Sequence, residues 1–324
     1  MTITYRVHIS TDLGGDPDDI QSLYRLIHYS DVLRVEGITS CTGPGSTPSV
    51  ELIEHWIKRV DVGHLRHNGY PELMSESDLL GVLRQGPETP GIPSAARRTP
   101  GSDLIIENTM RESDEPLCVL VWGSITELAQ ALHDEPAIAS RIRVNYIGSS
   151  NTTNDPEARG WVYKFMSSQF PELWWIEDGL MPRLTHDTFR GMYEGGDQSG
   201  EWNARDFVIE NIYGRGSTHS GLFEEKCGDA FPWAARFGGG NEVLKEGDSP
   251  TMMHLPGPVF GGVGDIDDPS VPGWGGEFRR PQPERFPNYW TDLDEDAETC
   301  QATINRWRIP ILKHWKERWA RYDR

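Results

Sequence analysis

Four carboxylates, Asp12, Asp16, Asp18 and Asp19, fall within eight residues of the stretch "ISTDLGGDPDD", directly after the apolar stretch 5–9. Charges this close repel one another unless a cation or a proton sits between them. The side chains on offer supply oxygen only, with neither His nor Cys. Oxygen donors suit a hard cation, Ca²⁺ first and Mg²⁺ second. A helix N-terminus accounts for one or two acidic residues, not for four. Gly14 and Gly15 permit a tight turn between them.

Other stretches with chemical side chains are weaker. "DLDEDAE" (Asp292, Asp294, Asp296) starts like an EF-hand loop but has Ala297 where Gly is required, so it reads as a solvated helix start. His64 and His67 form HxxH with no third ligand nearby and read as a surface pair. "FGGGNEV" and "GGVGD" lack the strand-before, helix-after setting of a phosphate loop, and neither GxxxxGK[ST] nor GxSxG occurs. An Asp nucleophile for phosphoryl transfer would want a basic partner in the same loop, and "DLGGDPDD" has none.

The elements around the acidic turn are legible. Residues 5–10 are predicted as a strand. Residues 18–29 follow as a helix, with Ile20, Leu23, Tyr24 and Ile27 at helical spacing. "LRVEGITS" gives a second strand over 33–40, and a helix follows over 50–60. "LCVLVW" (117–122) is a continuous apolar strand of the kind buried on both faces. "GSITELAQAL" turns into a helix, and "RIRVNYIGS" (141–149) is a fourth strand. This alternation argues an α/β fold: an open, mostly parallel, Rossmann-like sheet with helices on both faces. In such sheets ligands bind beyond the carboxyl ends of the strands, which is where Asp12 stands. The pattern weakens after Trp175. The chain reads as one domain over 1–324, loop-rich from about residue 180 and closed by one helix over 297–319. Long loops in a compact domain tend to build sites.

With 324 residues, 36% apolar residues and twelve Trp, a sizeable core can form. The balance of 31 basic to 50 acidic residues gives −19, which repels phosphate backbones and anionic lipid. Nucleic-acid and membrane partners are therefore not expected, and a small-molecule ligand is. Self-association as a homo-oligomer is compatible with the composition. Four scattered cysteines without CxxC, no signal-peptide h-region and no long apolar span point to a soluble cytoplasmic protein.

With these residues in view, the chain resembles the nucleoside hydrolases. It is nearest to the nucleoside hydrolase-like branch often labelled cellulose-binding. The likeness rests on "TDLGGDPDDIQSL", "VEGITS", "VWGSITELAQAL", "WWIEDG…FRGMY" and "EGDSPT" in order, over about residues 7–253, with "GWGGEF" and the last helix beyond. The resemblance implies one Ca²⁺ held by the carboxylates of Asp12, Asp19 and Asp248 and by the Thr126 carbonyl. It implies that Asp18 binds a sugar hydroxyl. The implied reaction is hydrolysis of an N-ribosidic bond in a nucleoside or related glycoside, with Asp12 taking the proton of the attacking water. The alternative is a sugar- or nucleoside-binding protein that keeps the cation without turnover.

Some motifs depart from the family. Gly247 stands where family hydrolases carry a His, Glu127 where Asn is usual in the "GSITE" turn, and no intact Glu-x-Asn block is found. Asn151, Asn154 and Glu177 are the candidates for hydroxyl binding. Trp174 or Trp175 is a candidate for stacking, Arg190 for an anionic or carbonyl group, and Trp274 with Gly275 and Gly276 for the pocket mouth. Asp16, in a two-residue insertion, is expected to cap the turn or support it from outside.

Overall fold

The computed structural model describes residues 4–15, 17–180, 188–212 and 244–323. The strands are β1 (Tyr5–Thr11), β2 (Leu33–Ser40), β3 (Leu83–Gln85), β4 (Leu117–Val121), β5 (Ile142–Ile147), β6 (Trp174–Asp178) and β7 (Tyr289–Thr291). They form one sheet in the order β3-β2-β1-β4-β5-β6-β7, and every neighbouring pair is parallel. The expected open parallel sheet is therefore present. Apolar clusters line both faces: Val7, Ile9, Leu120 and Ile176 on one side, Val119, Val121, Val144 and Trp175 on the other. Strands β3 and β7 have three residues each. That is too short for periodicity to announce them.

β1 is not uniformly apolar. Its second face carries Arg6, His8 and Ser10, all buried. Each has a partner: Arg6 is paired to Glu36, His8 lies 3.2 Å from Thr39, and Ser10 donates to Glu127. Gly37 makes room for His8, since a Cβ there would sit 2.1 Å from its Nδ1. Burial pushes His8 down to about 3, so it is neutral.

Helix Asp18–His28 has an unusual environment. Every residue from Asp19 to His28 is buried, because two later segments cover it. Trp315 and Trp319 of the last helix pack on His28, and Arg318 donates to the His28 carbonyl. Residues 244–253 cover the rest, as described below. The final helix expected over 297–319 is two helices, Ala297–Asn305 and Arg308–Trp319. Pro310 explains the break. In an unbroken helix its nitrogen would have to donate to the Arg306 carbonyl, but it has no N–H and its ring crowds that oxygen. In the first turn of a new helix the missing N–H costs nothing, and that is where Pro310 lies.

The reading of "DLDEDAE" also needs correction. Asp296 does cap the next helix, accepting from Thr299 N. Asp292 is buried, however, and accepts from Gly179 N at 2.7 Å, Leu180 N at 3.4 Å and Thr188 Oγ1 at 2.6 Å. Cys41, Cys118 and Cys300 are buried and unbridged, and among the described residues no helix is long and apolar enough to cross a membrane.

Candidate metal centre

The order of strands reverses between β1 and β4, and the crevice beyond their carboxyl ends is where such a sheet can hold a ligand. β1 ends at Thr11, so Asp12 opens that crevice. Gly14, at φ +118°, turns the chain, and Asp18 and Asp19 head the following helix. Thr11 Oγ1 donates to Asp19, locking its carboxylate against the strand end.

The third carboxylate arrives from far along the chain. Segment 244–249 is docked on helix Asp18–His28 by polar groups. Lys245 N donates to Gln21 Oε1 at 2.7 Å, Glu246 pairs with buried Arg25, and Ser249 Oγ meets Ser22 Oγ at 3.0 Å. Thr251 links the segment to the end of β4, accepting from Trp122 Nε1 and donating to the Asp248 carbonyl. Asp248 is thereby set opposite Asp18 and Asp19, and carboxylate oxygens of all three lie within 4.8 Å of one another.

Asp12 lies beside this trio rather than in it. Its carboxyl and that of Asp19 are near enough to act on one another, and carboxyls so close favour keeping a proton between them while no cation is present. Two glycines hollow out its slot. A Cβ at Gly43 would lie 1.3 Å from Asp12 Oδ2, and one at Gly123 would lie 2.8 Å from Asp12 Cβ. Burial, then the charge of Asp18, pushes Asp12 up to about 7. Asp19 and Asp248 are raised as well, by burial first and by their carboxylate neighbours second.

A divalent cation fits these residues. Asp248 Oδ2 is buried without a hydrogen-bond partner among the described residues. An orphaned, desolvated oxygen on one of three clustered carboxylates suits the donor set a hard cation takes.

Asp18, assigned to a sugar hydroxyl, stands with Asp19 and Asp248, while Asp12, assigned as a ligand, stands adjacent. The Thr126 hydroxyl donates to Asp155 Oδ2 at 2.6 Å and accepts from Gly91 N, at the start of the helix after β4. Asn151 and Asn154 follow β5 at the same end of the sheet. Asn151 spends its amide on the carbonyls of Trp122 and Ile147, whereas buried Asn154 Nδ2 has no partner among the described residues. Ser149 before them is held at φ +50°, an uncommon conformation for a residue with a side chain.

Glu177 and Trp175 do not reach the crevice. Alternation along β6 turns both to the opposite face of the sheet. There Glu177 is paired with Arg159 at 2.6 Å and accepts from Tyr289, while Trp175 is fully buried against Tyr146 and Tyr289. Trp174 is likewise packed, against Trp290 and His254, and Trp274 is buried in the core beside His314. Arg190 forms an ion pair with Glu194. Asp16 and "FGGGNEV" lie outside the described residues.

Several residues escaped the sequence reading. Asp178, next to Glu177, faces the crevice side, and Tyr193 lies within the electrostatic reach of both Asp18 and Asp178. Burial pushes the Tyr193 phenol upward, and Arg190 opposes it. Lys245 reaches to 3.4 Å from Asp18 Oδ2.

The family model described as cellulose-binding Sde182, nucleoside hydrolase-like domain, matches residues 6–278. A nucleoside hydrolase-related protein from Saccharophagus degradans, associated with carbohydrate metabolism, has a similar structure. Its TM-score is 0.70 at 20% identity, over 98% of this chain and 72% of that one. A plant nucleoside hydrolase superposes with a TM-score of 0.52 at 13% identity, over 94% of this chain and 98% of that one. The effector protein XOO4466 gives 0.52 at 13% identity, over 97% and 94%. At these identities the likenesses establish the fold alone. No curated protein matches the sequence.

Proposed function

The chain belongs to the Sde182 nucleoside hydrolase-like family, and from that premise we propose that it is a cation-dependent hydrolase of an N-glycosidic bond in a nucleoside or related glycoside. The observation that carries the reading is the convergence of Asp18, Asp19 and Asp248, the last with a buried oxygen that has no partner among the described residues. Ca²⁺ is the first choice of ion. Bound there, it would hold vicinal sugar hydroxyls and a water and make that water more acidic.

The chain's own residues supply the rest. Asp12 accepts the proton as the water oxygen bonds to the anomeric carbon and the C–N bond breaks. Asp12 stands beside, not among, the three grouped carboxylates, so its ionised form is free to take that proton when the cation is bound. The surrounding carboxylates stabilise the positive charge that develops on the sugar. Asn154, whose Nδ2 has no partner among the described residues, and Tyr193, within electrostatic reach of Asp18, are assigned to the sugar. Asn151 offers only its oxygen, and its main task is to tie the ends of β4 and β5.

A carbohydrate-binding protein without turnover is the second reading. The family's cellulose-binding description favours it, as does Gly247, which offers no side chain to protonate a leaving group. Two measurements separate the readings. Calorimetric titration with Ca²⁺ should give stoichiometric binding that Asp248→Asn weakens at least tenfold. The loaded protein should then release free sugar from at least one member of a glycoside panel. Release from none, with ligand-induced melting shifts only, selects the binding protein.

A further inference from the structure

The cluster already contains a cation of the protein's own. Lys245 Nζ lies 3.4 Å from Asp18 Oδ2, and the two side chains are only 7% and 19% exposed. The same ammonium favours the ionised forms of Asp12 and Asp248. Its backbone is fixed, since Lys245 N is bonded to Gln21 Oε1, and the next residue is clamped by Arg25. The ammonium therefore cannot leave by moving its segment. It can leave only by rotating its own side chain. Gly247 keeps the space open, because a Cβ there would lie 2.8 Å from the same Asp18 oxygen.

One positive charge satisfies at most one of the four carboxyls, and the others hold protons that a divalent ion can replace. Yet an ammonium and a divalent ion competing for one oxygen repel each other. We propose that Lys245 is the resident counter-ion of the carboxylate cluster, displaced from Asp18 when a divalent cation binds, and that it thereby sets the cation affinity of the site. This rests on the cation reading above and adds a regulation of that site. Lys245 is a positioning residue, acting on the cation through Asp18. The uncharged near-isostere Lys245→Met should free Asp18 for the ion.

The experiment is calorimetric titration of Ca²⁺ into the natural protein, Lys245→Met and Lys245→Arg. The expected result is at least tenfold tighter binding by Lys245→Met, with Lys245→Arg within about threefold of the natural protein. Tighter binding by Lys245→Met, or binding by that variant alone, upholds the proposal. Equal or weaker binding by Lys245→Met overturns it while leaving the cation reading intact. No binding by any of the three overturns both. Reductive methylation of the natural protein, read by peptide mass spectrometry, does not depend on the variants folding. Ca²⁺ should raise labelling of Lys245 several-fold relative to exposed Lys58, and unchanged or reduced labelling refutes the displacement.

Discussion

Raising the pH from about 6.5 to about 8 should widen the stability gap between the Ca²⁺-loaded and the cation-free protein. Asp12 is raised to about 7, chiefly by burial, and Asp19 and Asp248 are raised too. In the unfolded chain these carboxyls are already ionised above pH ~6. The cation-free folded state thus holds protons that the unfolded state lacks, and stability falls as they leave. A carboxyl at about 7 loses roughly 0.8 kcal/mol over this window, from about 1.4 kcal/mol per pH unit per proton. Asp19 and Asp248 add in the same direction. With Ca²⁺ bound, the carboxylates are ionised in both states and this slope vanishes. Groups away from the cluster act equally in both arms and cancel. Glu127, also raised to about 7 by burial, lowers stability as pH rises. His8, His254 and His314, lowered to about 3, 4 and 3, raise it by roughly 0.4 kcal/mol each as the unfolded imidazoles lose their protons. At about 2–4 °C per kcal/mol, Asp12 alone should widen the gap in melting temperature by roughly 2–3 °C. The assay is scanning calorimetry at several pH values, with chelator and with Ca²⁺ at fixed free concentration. A gap that stays constant or narrows across the window refutes the reasoning.

Further outcomes follow from single contacts. Gly43→Ala, which puts a methyl within 1.3 Å of the present Asp12 oxygen, should cut sugar release at least ~100-fold, since misplacing a catalytic group by about 1 Å costs that much. Calcium affinity should change far less, and unimpaired release would remove Asp12 from the reaction. Trp175→Ala should cost about 3–5 kcal/mol of stability in chemical denaturation without changing KM; a raised KM at unchanged stability would return Trp175 to the site. Inosine, adenosine, uridine and cytidine should be poor substrates in steady-state kinetics, because Gly247 supplies no imidazole beside Asp248. A kcat/KM above roughly 10⁴ M⁻¹s⁻¹ for any of them would contradict this.

The four central strands and the acidic turn were legible because each has a local signature. Apolar runs mark β1, β2, β4 and β5, and charge crowding marks Asp12 to Asp19. β3 and β7, three residues each, carry no periodicity. Glu177 is the sequence candidate and Asp178 is not, yet a one-residue difference along a strand exchanges the two faces, and nothing local says which face meets the ligand. Lys245, Arg25 and Gln21 were invisible for another reason. Their roles arise from contacts spanning more than 200 positions of sequence.

Asp292 has a consequence for how the site could change over evolutionary time. One carboxylate receives the amides of residues 179 and 180 and the hydroxyl of Thr188. Both ends of the intervening stretch are thereby tied to a single point near the end of β7. A stretch with fixed ends can be lengthened or rewritten at low entropic cost, because each doubling adds only about 0.6 kcal/mol of closure entropy. Exchanges of sequence between Leu180 and Thr188 therefore leave both anchors in place. Transplanting that stretch from another member of the family should succeed only where the residue matching Asp292 is retained.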